Sequence, residues 1–110
     1  MKFVSRLFAV LVFAFTGGLA LAQTPYPSRT ITIICSYAAG GGADLVVRKY
    51  ANELKERLGQ NVVVENKVGA NGHIGNRFVM ESKPDGYTII LTGDSAVVGN
   101  PLIMKDAVYD

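Results

Sequence analysis

The chain has 110 residues, of which 49% are hydrophobic and 18% are charged, and it contains one cysteine. This length allows one domain at most. The apolar content excludes a disordered chain, and a single cysteine excludes a disulfide scaffold. The formal net charge is +2, but beyond residue 22 nine basic residues balance nine acidic ones. That balance argues against a dedicated nucleic-acid-binding protein.

The first 22 residues have the pattern of a secretory signal peptide. A short cationic start with Lys2 and Arg6 precedes an uncharged apolar run at 7–15, and Ala20-Leu21-Ala22 supplies small residues before a cleavage site. The apolar run is shorter than the roughly 20 residues of a membrane span. The sequence therefore predicts cleavage before Gln23, export to the periplasm, and a mature chain of residues 23–110.

The mature chain alternates strand-like and helix-like segments. Strands are predicted at 29–35, 61–65 and 87–91, and helices at 44–58 and 73–82. An apolar stripe along the first helix predicts its buried face (Val47, Ala51, Leu54, Leu58). In the second helix Ile74, Phe78 and Val79 are expected to point inward, and Asn100-Pro101 is expected to break a short helix or loop near Ala96. The order predicts an α/β fold, a βαβαβ unit with a parallel sheet and right-handed crossovers.

Three loops follow the carboxyl ends of the predicted strands, at 36–44, 66–75 and 92–100. All are rich in Gly, Ser, Thr or Asn. Ligands of open parallel sheets bind at this edge, and glycine-rich loops before helices suit an anion. The alternative is that such loops need glycine only for tight turns. Three loops of this kind at one edge favour an anion-accepting site.

Other chemistries find little support in the residues. The glycine run lacks the spacing of a phosphate-binding or dinucleotide-binding loop, so no cofactor is expected. His73 is the one histidine and lacks the partners of a metal site. Cys35 ends a buried strand, where a packed thiol is the better interpretation, and no serine sits in a nucleophile motif. Asp44 fits a helix cap better than a general acid. No enzyme activity is expected.

Four motifs in order carry a resemblance to one family. They are Tyr26-Pro27-Ser28-Arg29, the run from Ile33 to Asp44, the run from Leu58 to Gly75, and the run from Pro84 to Leu91. Together they resemble the periplasmic solute-binding proteins of tripartite tricarboxylate transporters, the TctC or Bug family. The resemblance covers the mature chain as an N-terminal portion, and it also includes Asn100-Pro101 and the final Tyr109-Asp110.

The resemblance implies a receptor for small carboxylates that works with the membrane subunits of a transporter. Its fold is the type 2 periplasmic-binding-protein fold, in which two lobes close on the ligand. Carried onto this chain, the ligand-binding residues would come from the loop after strand one, the loop after strand three, and the Asn-Gly pair between them (Tyr37, Ala38, Gly40, Gly41, Gly42, Asp44; Thr92, Asp94, Ser95; Asn71, Gly72). Departures at Cys35, Ser36, Ala39 and Ala43 leave the ligand open.

Length is the larger departure from the family. The second lobe is not in this sequence, so residues 23–110 are expected to be a partial first lobe that binds carboxylates weakly, since a flytrap needs both lobes to bury its ligand. The alternative is a truncated remnant without high-affinity binding.

Overall fold

The structure, a computed structural model, describes residues 24–107 and residue 109. Its regular elements are β1 (Ile31–Cys35), α1 (Gly42–Leu58), β2 (Val62–Asn66), α2 (His73–Met80), β3 (Thr88–Leu91) and α3 (Asn100–Ile103). A 3-10 turn at Ala70–Gly72 precedes α2, and a π turn at Ser95–Gly99 leads into α3. The expected signal peptide, its cleavage site and Asp110 lie outside the described residues. None of the helices described is long and apolar enough to cross a membrane.

The three strands form a parallel sheet in the order β2-β1-β3, which confirms the predicted α/β fold. Ile31 pairs with Val62 on one side of β1, and Ile33 pairs with Ile89 on the other. The chain therefore moves from β1 to one neighbour and then crosses back to the opposite neighbour. Right-handed crossovers in opposite directions place α1 and α2 on opposite faces of the sheet.

The core forms around β1 because this central strand is covered on both faces. Ile31, Ile33 and Cys35 belong to one buried cluster with Val47 and Ala51 of α1. Side chains alternate between the faces of a strand, so Ile34, which is fully buried, points to the opposite face. The thiol of Cys35 is free and buried, as expected for a packed cysteine.

The first helix follows its predicted stripe for most of its length. Val47 and Ala51 are buried and Leu54 is half-buried, but Leu58 is 38% exposed. Leu58 is the last residue of α1 before Gly59, which adopts a left-handed conformation, so the helix ends as it passes the edge of the sheet. The prediction that Leu58 belongs to the core was wrong.

Two other local predictions were wrong for identifiable reasons. Ile74 and Phe78 are 50% and 41% exposed, because α2 turns His73, Gly75 and Asn76 to the interior, and the ring of Phe78 packs under the Lys67 ammonium at 4.0 Å. Asn100-Pro101 does not break the last helical segment. Pro101 lies in the first turn of α3, where a missing backbone N–H costs no helical hydrogen bond.

The lead-in segment is held against the start of β3 by a set of side chains that we call the amino-edge clasp (Tyr26, Ser28, Arg29, Asp85, Tyr87). The Tyr26 hydroxyl donates to the Gly86 carbonyl at 2.8 Å, and the Ser28 N–H donates to the Tyr87 hydroxyl at 2.8 Å. Arg29 forms an ion pair with Asp85 at 2.8 Å and lies over the Tyr87 ring. The clasp thus joins the starts of β1 and β3.

Candidate functional site

A cleft of about 200 Å³ opens at the carboxyl edge of the sheet, where the three loops meet. Its lining comes from the ends of β1 and β3, from the segment before α2, and from the turn that follows β3. The lining residues are Ser36, Tyr37, Val68, Gly69, Asn71, Gly72, Thr92, Gly93, Ser95 and Ala96. The parallel topology produces this convergence, because all three strands end at the same edge.

Tyr37 forms one wall of the cleft and reaches across to the loop after β3. It directly follows Ser36, whose N–H donates to the Leu91 carbonyl at 3.1 Å and so extends the sheet. The Tyr37 hydroxyl lies so close to Gly93 that a Cβ at this glycine would collide with it. Tyr37 itself is 40% exposed, so its ring closes one side of the cleft while remaining accessible.

The opposite wall depends on a backbone turn that few residues can adopt. Ala70, Asn71 and Gly72 all have positive φ angles, and that of Gly72 is +82°. A Cβ at Gly72 would lie 2.8 Å from the Ala96 Cβ and 3.3 Å from the Thr92 hydroxyl oxygen. The glycine therefore lets the segment before α2 pack directly on the loop after β3.

Asn100 holds this turn from beneath, and the sequence placed it at the end of the predicted loop 92–100 without naming it as a site residue. It is fully buried and its side chain accepts a hydrogen bond from the Asn71 amide at 2.9 Å. The Asn100 amide in turn donates to the Asn71 carbonyl at 3.1 Å. In the sequence, its position beside a proline predicted only a helix break. The contact with Asn71 joins segments 29 residues apart, so no local pattern indicated it.

Two buried hydroxyls at the cleft have no hydrogen-bond partner among the residues that the structure describes. They are the Ser36 Oγ and the Thr92 Oγ1, which lie at the ends of the neighbouring strands β1 and β3. Buried polar groups in folded proteins are paired almost without exception. Two buried hydroxyls without partners at the same edge of the sheet therefore lower the stability of the fold at that edge.

The cleft carries no formal charge in the residues that line it. Among the lining residues that the structure describes, Tyr37 is the one ionisable side chain, so a ligand would meet hydroxyl, amide and backbone groups. No cluster of three His, Cys, Asp or Glu side chains within residues 24–107 and 109 could hold a metal ion.

Asp44 is charged and buried, but it does not line the cleft. Its carboxylate accepts from the Arg48 Nε at 2.9 Å, from the Gly40 N–H at 2.9 Å, and from the Asn66 amide at 2.8 Å. The hydrogen bond from Arg48 is the largest of several causes, with those from Gly40 and Asn66, that hold the pKa of Asp44 well below its ordinary value. The carboxylate is therefore charged and fully committed to groups of the protein.

The structure brings part of the predicted set of site residues together. The members that line the cleft are Tyr37, Asn71, Gly72, Thr92 and Ser95, and those outside its lining are Ala38, Gly40, Gly41, Gly42, Asp44 and Asp94. Asp94 instead accepts from the Ser95 N–H at 2.8 Å. The lining residues Ser36, Val68, Gly69, Gly93 and Ala96 lie within the three predicted loops but were not named as ligand-binding residues.

Comparison with known proteins identifies relatives for nearly the whole chain. A family model described as "Tripartite tricarboxylate transporter family receptor" (TctC) matches residues 46–110. A UPF0065 protein of Bordetella bronchiseptica is 41% identical over 104 residues, which cover 94% of this chain and 31% of the relative. The chain thus spans about a third of the length of this curated relative.

Solved structures agree with the sequence relatives. The periplasmic binding protein BugD is 40% identical, with a TM-score of 0.70 over 77% of this chain and 28% of its own. The Rpa4515 protein of R. palustris, solved with adipate, is 32% identical, with a TM-score of 0.70 over 77% of this chain and 28% of its own.

Proposed function

The chain belongs to the TctC family of tripartite tricarboxylate transporter receptors, and from this premise we propose that its cleft is one wall of a carboxylate-binding site. The function is capture of a small carboxylate, without chemical conversion. The ligand would lie at the carboxyl edge of the sheet, in contact with the loops after β1 and β3. The remaining contacts would come from parts of the receptor that correspond to the rest of its relatives' length.

The observation that carries this proposal is the convergence of three loops on a cleft lined by uncharged donors. The polar side chains that line the cleft are the hydroxyls of Ser36, Tyr37, Thr92 and Ser95 and the amide of Asn71. Each hydroxyl can donate a hydrogen bond to a carboxylate oxygen. Bonds from neutral donors to an ionised acceptor are stronger than neutral pairs, so a carboxylate is a suitable guest without a cationic side chain.

The setting of this function is also part of the proposal. Residues 1–22 would act as a cleaved signal peptide, and the mature chain would work in the periplasm with the membrane subunits of a tripartite tricarboxylate transporter. The family description and the likeness to a periplasmic binding protein support this setting. Mass spectrometry of the periplasmic fraction tests it, and a mature N-terminus at Gln23 is the expected result.

Calorimetric titration of the chain with adipate tests the binding proposal. Adipate is the probe because a relative of the same fold was solved with it. We expect saturable binding with a dissociation constant of about 1 mM or tighter, which corresponds to roughly −4 kcal/mol. Adipamide, which has the same carbon chain without charge, is the matched control. Equal binding of the two compounds, or no binding of adipate, contradicts a carboxylate site.

A further inference from the structure

We propose that Asp44, Arg48 and Asn66, called here the polar clamp, are positioning residues that hold Tyr37 at the cleft without contacting the ligand. This inference rests on the proposed function, because a positioning role matters only if Tyr37 meets a bound carboxylate. None of the three residues lines the cleft. They lie behind the loop that carries Tyr37, at the start of α1 and the end of β2.

Asn66 is the residue that ties this loop to the sheet. Its amide donates to the Tyr37 carbonyl at 3.0 Å and to the Asp44 carboxylate at 2.8 Å. As the last residue of β2, Asn66 pairs with Cys35 in the parallel ladder. The main chain of Tyr37, which follows β1, is therefore also attached to the neighbouring strand β2. Both strands thus restrict the position of the loop.

Asp44 and Arg48 complete the clamp from α1. The Arg48 guanidinium donates through Nε to Asp44 at 2.9 Å and through Nη2 to the Asn66 side-chain oxygen at 3.1 Å. Asp44 also accepts from the Gly40 N–H at 2.9 Å. The side chain of Asp44 is 3% exposed and that of Arg48 is 47% exposed. The planar guanidinium thus bridges a buried carboxylate and an amide.

The clamp reaches the cleft through the ring of Tyr37. The Tyr37 hydroxyl lies against Gly93, so the loop after β1 and the loop after β3 meet at this side chain. A displacement of the Tyr37 main chain would open the wall between them. In metal sites, residues that orient a ligating side chain from behind change affinity by roughly 10–100-fold, and we assign the clamp a comparable positioning role toward Tyr37.

The same geometry argues against direct ligand contact by Asp44. Its two oxygens already accept three hydrogen bonds from the protein. A second carboxylate close to it would meet like charge in a poorly hydrated place, which is costly. Asp44 therefore stabilises the loop that a ligand meets, although the family resemblance placed it among the ligand-binding residues.

The test substitutes Asn66→Ala in the whole chain and measures adipate affinity together with amide hydrogen exchange. We expect affinity to fall by roughly tenfold and exchange to accelerate at residues 38–41. Arg48→Met is a second variant for the case that Asn66→Ala does not fold, because Arg48 is half exposed. It removes both guanidinium contacts, so it should shift affinity and exchange in the same direction.

Asp85→Ala is the matched control, since it breaks a polar contact at the other edge of the sheet. It should leave adipate affinity and exchange at residues 38–41 unchanged. A double-mutant cycle with Tyr37→Ala adds a readout that a general loss of stability would not move. If the clamp acts through Tyr37, Asn66→Ala should cost little further affinity once Tyr37 has been removed.

The outcomes separate the two proposals. If adipate does not bind, or if Tyr37→Ala leaves its affinity unchanged, the proposed site fails, and the exchange data still test the clamp. If Tyr37→Ala lowers affinity while Asn66→Ala behaves like Asp85→Ala in both measurements, the clamp is overturned and the site stands. Full additivity of Asn66→Ala and Tyr37→Ala also overturns the clamp.

Discussion

The two edges of the sheet differ in how completely their polar groups are paired. At the amino edge, the clasp pairs its hydroxyls and charges with each other, as in the Arg29–Asp85 ion pair and the bonds to the Tyr87 hydroxyl. At the carboxyl edge, the Ser36 and Thr92 hydroxyls are buried without a partner. Both edges connect the same strands, so the topology does not account for the difference.

The difference shows that the polar groups of the amino edge stabilise the fold, whereas some of those at the carboxyl edge destabilise it. A paired polar group at a strand start contributes to folding, whereas an unpaired buried hydroxyl costs free energy. Natural proteins break such local rules chiefly at functional sites. The unpaired hydroxyls, the close packing at Gly72 and the cleft itself all lie at the carboxyl edge. The four changes below test this contrast, beginning with the largest expected effect.

Gly72→Ala should damage the carboxyl edge most severely. The new Cβ would lie 2.8 Å from the Ala96 Cβ, in a backbone conformation with φ of +82°. Strain and overpacking together should lower the free energy of unfolding by about 2–4 kcal/mol. Urea denaturation measures this change.

Gly59→Ala is the matched control for Gly72→Ala. Gly59 also has a positive φ, +63°, but a Cβ there would meet nothing within 4 Å. It should cost only the penalty of placing a Cβ in the left-handed region, about 1 kcal/mol. Equal losses for the two variants would show that close packing at the cleft is not what requires glycine.

Asp44→Asn should produce the next largest effect, and one that depends on pH. The hydrogen bonds that hold the pKa of Asp44 below its ordinary value of 3.8 favour the ionised form in the folded state. The contribution to stability is therefore present above that ordinary value and is lost as the pH falls through and below it. Thermal unfolding from neutral to acid pH should show the wild type losing its advantage over the variant. A difference that is constant across this range would contradict the account.

The sequence was sufficient to predict the sheet and the loops at its carboxyl edge. It was less sufficient to predict which polar side chains hold those loops by hydrogen bonds. Strand and helix periods depend on neighbours along the chain, so β1 and α1 were predictable within a few residues. Asn66 and Asn100 act through contacts with Tyr37 and Asn71 across 29 residues, and no local pattern marks such contacts. The prediction of which α2 residues face inward failed for a similar reason. Close packing against Ser36 requires Gly75 on the inner face of α2, and this contact is tertiary.

Thr92→Val should stabilise the fold, whereas removal of a hydroxyl that makes a hydrogen bond usually destabilises it. The Oγ1 of Thr92 is buried without a partner, and valine replaces this oxygen with a methyl group of similar size. Removing an unpaired polar group should raise the free energy of unfolding by about 1 kcal/mol. Adipate affinity should fall, because the variant lacks one of the hydroxyls that we propose to donate to the carboxylate. A destabilised variant would mean that the Thr92 hydroxyl is paired in solution.

Arg29→Met should have the smallest effect and should concern the amino edge alone. The Arg29 and Asp85 side chains are 57% and 37% exposed, and exposed ion pairs contribute about 0.2–1 kcal/mol. Methionine removes the guanidinium both from Asp85 and from the face of the Tyr87 ring, and the loss should shrink as salt is added. Urea denaturation at two salt concentrations measures this loss. Because the clasp lies opposite the cleft, adipate affinity should stay at the wild-type value, and an altered affinity would show that the two edges are coupled through the strands.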